Sequence, residues 1–549
     1  MTTTDPLGRF GTNITPQRQP IPGRSEQVKN NAGGYVFEID KLTQFTRFLT
    51  IGTAGGTYYV GQDALTVENG NMILELTKNE ADQIDAIDIL VEISEAGRAP
   101  KQNPTLFALA IFCQHGTTAA KQHARKQITK VVRTGTHLFI FVGYLKQFGG
   151  WSRGLRKAVG NWYVEKNADQ LSYQLVKYRQ REGFTHRDIL RMTHPKVEEP
   201  LKRAVINWAV KGSYGEADDA FVPAMPSVLE GYTKAQVPLS DIPKLLSWYK
   251  LPWEALPDSA MNDPKVWDVM IDNGIPVHAL IRQLPRLTNL GMLPQIGGRT
   301  NEIVDTLTSR DALRKARVHP IQALIALKTY SSGQGFRNSW SPTTKIIDAL
   351  DEMFYASFGA IQATEKRTLL ACDISYSMTA QAGGTLLTAA EVAAAMSLTT
   401  MSVEPNANVV GFSSISGRQT REPKDSKLID LNISSRQRLD DVMRSMWDRN
   451  RPFGGTDCAL PMVAALKNGW HIDTFVIYTD NETWHGDIHP VQALKQYRQK
   501  SGIDARLIIV AVTATNFSIA DPTDPGMLDI CGFDAATPNL ISDFSATVI

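Results

Sequence analysis

The hydrophobic pattern of this chain changes period once, near residue 360, and that change constrains its fold more than any other feature. Upstream, segments such as ADQIDAIDILVEISEAG, NPTLFALAIFCQHG and PLKRAVINWAVKG carry apolar residues at three- and four-residue spacing, the period of amphipathic helices. Short Gly, Pro and Asn connections separate them, as antiparallel helical hairpins require. Downstream, short apolar runs at 369–373 (LLACD), 407–412 (ANVVGF), 474–480 (TFVIYTD) and 507–512 (LIIVAV) alternate with helix-like stretches such as TLLTAAEVAAAMSLTTM and HPVQALKQYRQKSG. Strands alternating with helices predict a mainly parallel sheet covered on both faces. The expected architecture is multidomain: a run of helices over 36–360, either an α-solenoid of degenerate pairs or a compact helical domain, then a doubly wound α/β domain over 361–549. Residues 1–35 lack the apolar segment of a signal peptide and read as a flexible arm.

A chain of 549 residues exceeds what one core supports. Its longest apolar runs stop well short of the about 20 residues a membrane span needs, so no membrane partner is expected. The four cysteines, Cys113, Cys372, Cys458 and Cys531, have no metal-ligand spacing and read as free thiols in a reducing, cytoplasmic compartment. The net charge of +2 conceals a division. Residues 101–211 hold 20 basic and 6 acidic side chains, whereas 361–549 hold 16 and 21. A concentrated basic zone in a nearly neutral protein is the footprint of a polyanion.

The run LLACD ends in a carboxylate followed at alternate positions by hydroxyls: Asp373, Ser375 and Ser377. In extended chain, residues two apart point to one side, so the three side chains can converge. Such a strand end can hold a hard metal ion, carry a nucleophilic aspartate, or cap the next helix. PFGGTDCALP adds Thr456 in a Gly-rich loop, and VIYTDNET adds Asp480 at a second strand end. Ligands in parallel sheets bind at such ends. Two carboxylates and three hydroxyls, without imidazole or thiolate, favour Mg²⁺, with Mn²⁺ or Ca²⁺ as alternatives, over zinc. An aspartyl-nucleophile phosphatase also puts Asp at a strand end, but its general acid belongs two residues on, where this chain has Ser375.

The basic zone resolves into three clusters. On a helical wheel through KQHARKQITKVVRTGTH, Lys126, Lys130, Arg133 and His137 share a sector opposite Ala124, Ile128, Val131 and Val132. In WSRGLRKAVGNWY, Arg153, Arg156 and Lys157 oppose Trp151, Leu155 and Trp162. In VKYRQREGFTHRDILRMTHPK, Lys177, Arg179 and Arg181 precede Thr185, which with Asp188 fits a capping box and sets His186 and Arg187 in a helix first turn. Open backbone N–H groups beside a His and an Arg suit a phosphate; a helix-start histidine bonded to a neighbour is the alternative.

The stretches DISYS, GGTD and YTDNE resemble the metal-ion-dependent adhesion site of a von Willebrand factor A domain. Together with GLRKAVGNWY, YRQREGFTHRDILRMTHPK, ARVHPIQALIALKTYSSGQG, WSPTTKIIDALDEMFY and IADPTDPGMLDICGFD, they make the chain similar to the Ro autoantigen family from about residue 36 to the end. Its helical module is called TROVE. The segment 212–262 carries no such resemblance. The family implies a ring of HEAT-like repeats closed by the A domain, and hence a monomer. It also implies small noncoding Y RNAs bound on the outer basic surface and single-stranded 3′ ends of misfolded or structured RNAs in the central hole. A 3′-to-5′ exoribonuclease such as polynucleotide phosphorylase is a further implied partner. By position, Arg156, Lys157, Lys177, Arg179, Arg181, His186 and Arg187 are the RNA-surface candidates the resemblance implies.

No Ser-His-Asp, HExxH, phosphate-binding GK[ST] or paired-carboxylate arrangement argues for catalysis. The function the resemblance then implies is a non-catalytic RNA-binding protein of noncoding RNA quality control, or an adaptor for RNA degradation. The alternative is a metal-dependent protein–protein adhesion module on a helical scaffold.

Overall fold

The computed structural model describes residues 14–52, 62–99, 101–214, 224–236, 241–335, 338–358, 363–382, 386–414, 426–431, 433–439, 441–442, 454–513, 515–532 and 537–546. It separates into two compact units. One comprises Met1–Met72, His319–Lys328 and Asp351–Ile549, the other Ile73–Val318 and Thr329–Leu350. This division departs from the expected cut at 35 and 360. From residue 14 on, the stretch read as a flexible arm belongs to the α/β unit.

In that unit, strands β1 (Gln27–Lys29) and β2 (Tyr35–Glu38) form an antiparallel ribbon. The helix Lys41–Ile51 follows, capped by Asp40. Its Arg47 is fully buried. The guanidinium donates to the Thr515 carbonyl at 2.9 Å and to the Phe517 carbonyl, and pairs with Asp529. Nearer the start of the chain, Arg24 makes a fork-to-fork bridge to Asp521, both bonds 2.7 Å. The bridge holds the guanidinium pKa above its ordinary value.

The helical unit contains a short hairpin, β3 (Gln180–Arg181) with β4 (Phe184–Thr185). Its turn residues Glu182 and Gly183 have φ of 52° and 75°, the left-handed pair a two-residue hairpin turn demands. In the first part of the helical unit, several helices pack on the one two places along. Glu80–Ala96 lies against Thr118–Val131, Asn103–His115 against Gly135–Phe148, and Thr118–Val131 against Arg153–Val164. Stacking of this kind is the solenoid pattern, one of the two arrangements left open by the three- and four-residue periodicity. Trp162 pins the stack, donating its indole N–H to the Val132 carbonyl at 2.6 Å.

The α/β unit is built on a six-stranded sheet: β5 (Thr368–Asp373), β6 (Ala407–Ser414), β7 (Ser426–Asp430), β8 (Thr474–Thr479), β9 (Arg506–Ala511) and β11 (Met527–Cys531). The order is β11-β9-β8-β5-β6-β7, parallel except for β7. Strands β5, β8 and β9 are buried along their whole length, which explains their unbroken apolar runs. The short β10 (Phe517–Ser518) instead joins β2, completing a three-stranded sheet with β1. The chain runs from β5 outward to β6 and β7, then returns to the other side of β5 at β8. The order therefore reverses between β5 and β8, the position where such sheets bind ligands.

Candidate metal centre and nucleic-acid interface

Asp373 closes β5 and Asp480 follows β8, so both carboxylates stand at the reversal point. Past β5 the backbone turns into a short 3₁₀ segment, Tyr376–Thr379, that keeps Ser375 and Ser377 beside the strand end. Asp373 Oδ1 accepts from the Ser375 N–H at 2.8 Å, and Oδ2 from the Thr479 hydroxyl at 2.9 Å. The Ser375 and Ser377 hydroxyl oxygens are 3.0 Å apart. Asp480 Oδ1 accepts from the Glu482 N–H at 3.1 Å. The loop carrying Thr456 is tied to the Asp480 loop through the Thr456 carbonyl, which accepts from Trp484 and His485 N–H at 3.1 and 2.9 Å.

All five side chains are buried, and two of their atoms, Thr456 Oγ1 and Asp480 Oδ2, have no hydrogen-bond partner among the described residues. Burial, and secondarily the charge of Asp480, push the Asp373 carboxyl up to about 7. Burial likewise raises Asp480, with the Ser377 hydroxyl acting the other way. Glu482, buried beside Asp480, is also pushed up to about 7. Two carboxylates held together away from water, with a hydroxyl and a carboxylate oxygen unpaired beside them, form an environment suited to a cation. The donor set is all oxygen, which fits a hard divalent ion. Cys372 and Cys458 are buried nearby; the Cys372 thiol bonds Ser397 and is pushed up to about 12 by burial.

In the helical unit, Lys126, Lys130, Arg153, Arg156 and Lys157 are exposed, opposite the buried Ala124, Ile128, Leu155 and Trp162. The wheel through Arg133 and His137 does not hold, because the helix ends at Val131 and a new one starts at Gly135. Arg133 instead turns inward, donating to the Ser94 carbonyl and hydroxyl at 3.0 and 2.8 Å. His137 is largely buried, and burial brings its pKa down to about 4. Lys177 is half-buried, 4.0 Å from Glu254 and 3.3 Å from the Tyr173 hydroxyl.

The capping box forms: Thr185 Oγ1 accepts from the Asp188 N–H at 3.2 Å, and Asp188 accepts from the Thr185 N–H at 2.8 Å. His186, however, does not offer its imidazole to a phosphate. The ring is 3% exposed, stacked on Trp162 at 5.8 Å and bonded through Nδ1 to the Tyr163 hydroxyl at 3.0 Å. Burial brings its pKa down to about 3, so it is neutral. Exposed cations surround that helix start instead. Arg179, Arg181, Arg187 and Lys211 line a cleft of about 1000 Å³ floored in part by Trp208. Arg179 also lies 5.0 Å over the Tyr232 ring. Lys211 and Trp208 escaped sequence reasoning because they end a helix, PLKRAVINWAVK, whose legible signal is its apolar period.

A stack of helix pairs joined to a parallel-sheet domain with an oxygen-lined reversal point defines a two-module protein: a helical-repeat module and a von Willebrand factor A-type domain. The TROVE domain family matches residues 28–220 and 249–334, and the Ro60 vWA domain family matches 367–545. The gap between the TROVE stretches falls inside 212–262, the segment without a recognisable resemblance. RNA-binding protein RO60 of Deinococcus radiodurans is 38% identical, over 97% of this chain and 98% of its own length. That of Caenorhabditis elegans is 34% identical, over 96% and 91%. The crystal structure of the Deinococcus radiodurans RO (RSR) protein superposes with a TM-score of 0.67 at 36% identity, covering 92% of this chain and 99% of that one. The chain belongs to the Ro60 family.

Proposed function

We propose that this chain is a non-catalytic RNA-binding protein that holds structured RNA through its helical unit. The cleft under the Thr185 cap is the observation that carries this reading. Arg179, Arg181, Arg187 and Lys211 converge on one concavity beside a helix start whose leading N–H groups can receive a phosphate. Arginines whose planar forks face a groove match phosphate oxygens, and the exposed Arg153, Arg156 and Lys157 extend the positive surface. With family relatives named RNA-binding proteins, the ligand class is RNA rather than another polyanion. We assign Y-type small RNAs to this basic surface and single-stranded 3′ ends of misfolded or structured RNA to the same protein. Its setting is noncoding RNA quality control or hand-over to a 3′-to-5′ exoribonuclease, in the cytoplasm and as a monomer.

The second site would hold Mg²⁺ through Asp373, Ser375, Ser377, Thr456 and Asp480. A bound ion there supplies an open coordination position for a partner's carboxylate or phosphate. The chain's own residues shape that position: Thr479 and the Ser375 N–H fix the Asp373 carboxylate, and the Glu482 N–H orients Asp480. A metal-dependent adhesion role for this domain is the second reading, favoured by the unpaired Thr456 and Asp480 oxygens.

A gel-shift titration at two salt concentrations tests the RNA reading, comparing a structured RNA bearing a single-stranded 3′ tail with the same RNA trimmed blunt. Tighter binding of the tailed RNA, weakened by salt with a log–log slope of about −0.7 per single-strand phosphate, is expected. A flat salt response rejects the basic cleft as the binding surface.

A further inference from the structure

The residues ahead of β2 do more than complete a sheet edge. Gln17 is fully buried, and every hydrogen-bonding group it has is used within the α/β unit. Its N–H donates to the Gly486 carbonyl at 3.1 Å, and its carbonyl accepts from Tyr35 N–H at 2.8 Å. Its carboxamide Nε2 donates to Asp457 Oδ1 at 2.8 Å and to the Ile488 carbonyl at 2.9 Å, while Oε1 accepts from the Thr483 hydroxyl. Asp457 is next to Thr456, and Thr483 is three residues past Asp480. One side chain therefore spans the seam between the two loops that bring Thr456 and Asp480 to the candidate metal centre.

A second set of bonds grips the Asp480 loop alone. Asn30 Nδ2 donates to the Thr483 carbonyl at 2.7 Å. Asn31 Nδ2 and the Ala32 N–H donate to the two Glu482 carboxylate oxygens at 2.7 and 3.0 Å. At Gly34 the approach is so close that a Cβ would lie 2.0 Å from the Thr483 carbonyl oxygen. Arg18 lies 4.5 Å over the Trp484 ring, and that same ring would meet any Cβ placed at Gly455.

We propose that Gln17 and residues 30–34 act as a clamp that sets the affinity of the metal centre, with Gln17 the principal positioning residue; this rests on the metal reading above. The amide suits the role for a chemical reason. It donates to a carboxylate on one loop and accepts from a hydroxyl on the other, which neither a carboxylate nor an apolar side chain does. Loss of Gln17 takes one partner each from Asp457 and Thr483 and leaves the seam to the Thr456 carbonyl's bonds with the Trp484 and His485 N–H groups and to the Cys458 N–H bond with Thr483, loosening the placement of Thr456 against Asp480. Residues that orient metal ligands in this way change metal affinity by about 10–100-fold when removed.

The test is Mn²⁺ affinity of the full chain, read by electron paramagnetic resonance of free Mn²⁺, for wild type, Gln17→Ala, Asn31→Ala and Arg24→Ala. Gln17→Ala is expected to weaken Mn²⁺ about tenfold or more, and Asn31→Ala by less. Arg24→Ala, which breaks the Asp521 bridge, is expected to lower the melting temperature and leave Mn²⁺ affinity unchanged. If wild type binds no Mn²⁺, the metal reading falls and the clamp with it. If wild type binds but Gln17→Ala matches it within twofold, the clamp alone is overturned. Equal loss in Arg24→Ala also overturns it, because general loosening then suffices. Should Gln17→Ala not fold, the exposed Asn31 still decides: unchanged affinity in Asn31→Ala sinks the clamp.

Discussion

The two candidate sites handle charge in opposite ways. At the reversal point of the sheet, Asp373 and Asp480 are buried against each other, each fixed by backbone N–H groups and hydroxyls, and the matching partner is a positive ion. In the helical unit, Arg179, Arg181 and Arg187 are exposed around a cleft, and the matching partner is a polyanion for which water and salt can substitute. Buried charge of this kind is costly until matched, so it is few in number, rigidly held and intolerant of change. Exposed charge is cheap, so it is plentiful, mobile and individually weak. One site should therefore fail at a single residue, the other only by degrees.

The sharpest break of that comparison is Asp373→Ala. It is expected to reduce Mn²⁺ affinity by more than about 100-fold, beyond the range of a merely supporting residue. RNA affinity should stay within about twofold, since the change lies in a separate compact unit. Parallel Mn²⁺ and RNA titrations check both halves, and loss of RNA binding in a folded variant would assign the metal centre to the wrong partner. The metal-free protein should also show the cost of the buried carboxylates through pH. Asp373 and Glu482 have folded pKa values pushed up to about 7, above those of the unfolded chain. The native state then holds more protons between about pH 4 and 7, so this contribution to stability falls as pH rises through that window. Denaturant melts in chelator at about pH 5 and 8 should show Asp373→Asn losing less stability than wild type across the interval, by on the order of a few kcal/mol.

His186 falls next in size, and it sharpens the contrast because it is a buried group in the otherwise exposed site. His186→Ala removes an aromatic-sized side chain from between Phe139, Trp162 and Tyr163, and should cost about 3 kcal/mol or more in stability of the helical unit. Its folded pKa lies near 3, below the unfolded value, so the native state holds fewer protons and stability falls as pH drops from about 6.5 toward 3. RNA binding should consequently show no imidazole titration near pH 6.5; a step there that vanishes in His186→Phe would return His186 to the RNA surface.

The same difference in charge handling explains what the sequence disclosed. Asp373, Ser375, Ser377, Thr456 and Asp480 lie in three short stretches because strand ends and their loops deliver buried polar side chains at fixed spacing. The parallel sheet was equally legible, since β5, β8 and β9 are buried on both faces and must be apolar throughout. Strands β1, β2 and β11 were not legible: they are short, and β2 completes its sheet with Phe517 and Ser518, far along the chain. For the same reason Gln17 looked like part of a loose arm, its partners Asp457 and Thr483 being invisible at that sequence distance. In the basic zone, composition marked a stretch rich in cations but did not say which of its side chains turn inward. A wheel drawn across the break between Val131 and Gly135 put Arg133 on a face it does not share, and the cap signal at Thr185 was right while the direction of the His186 ring was not.

Within the cleft, Arg181→Ala with Arg187→Ala should weaken RNA by about tenfold together and flatten the log–log salt slope by about 0.7 for each phosphate no longer neutralised. Weaker binding with an unchanged slope would mean that the arginines hold the fold rather than the phosphates. The smallest change belongs to Lys126 and Lys130, exposed on the helix Thr118–Val131. Solvated single charges on flexible stems add little beyond a general field that salt screens within about 8–10 Å. Replacing both with Ala should therefore weaken RNA by less than about threefold at physiological salt, with the difference shrinking as salt rises. If that pair instead proves as damaging as the cleft arginines, the RNA path runs along this helix, and convergence of cations in a concavity is not what selects the ligand.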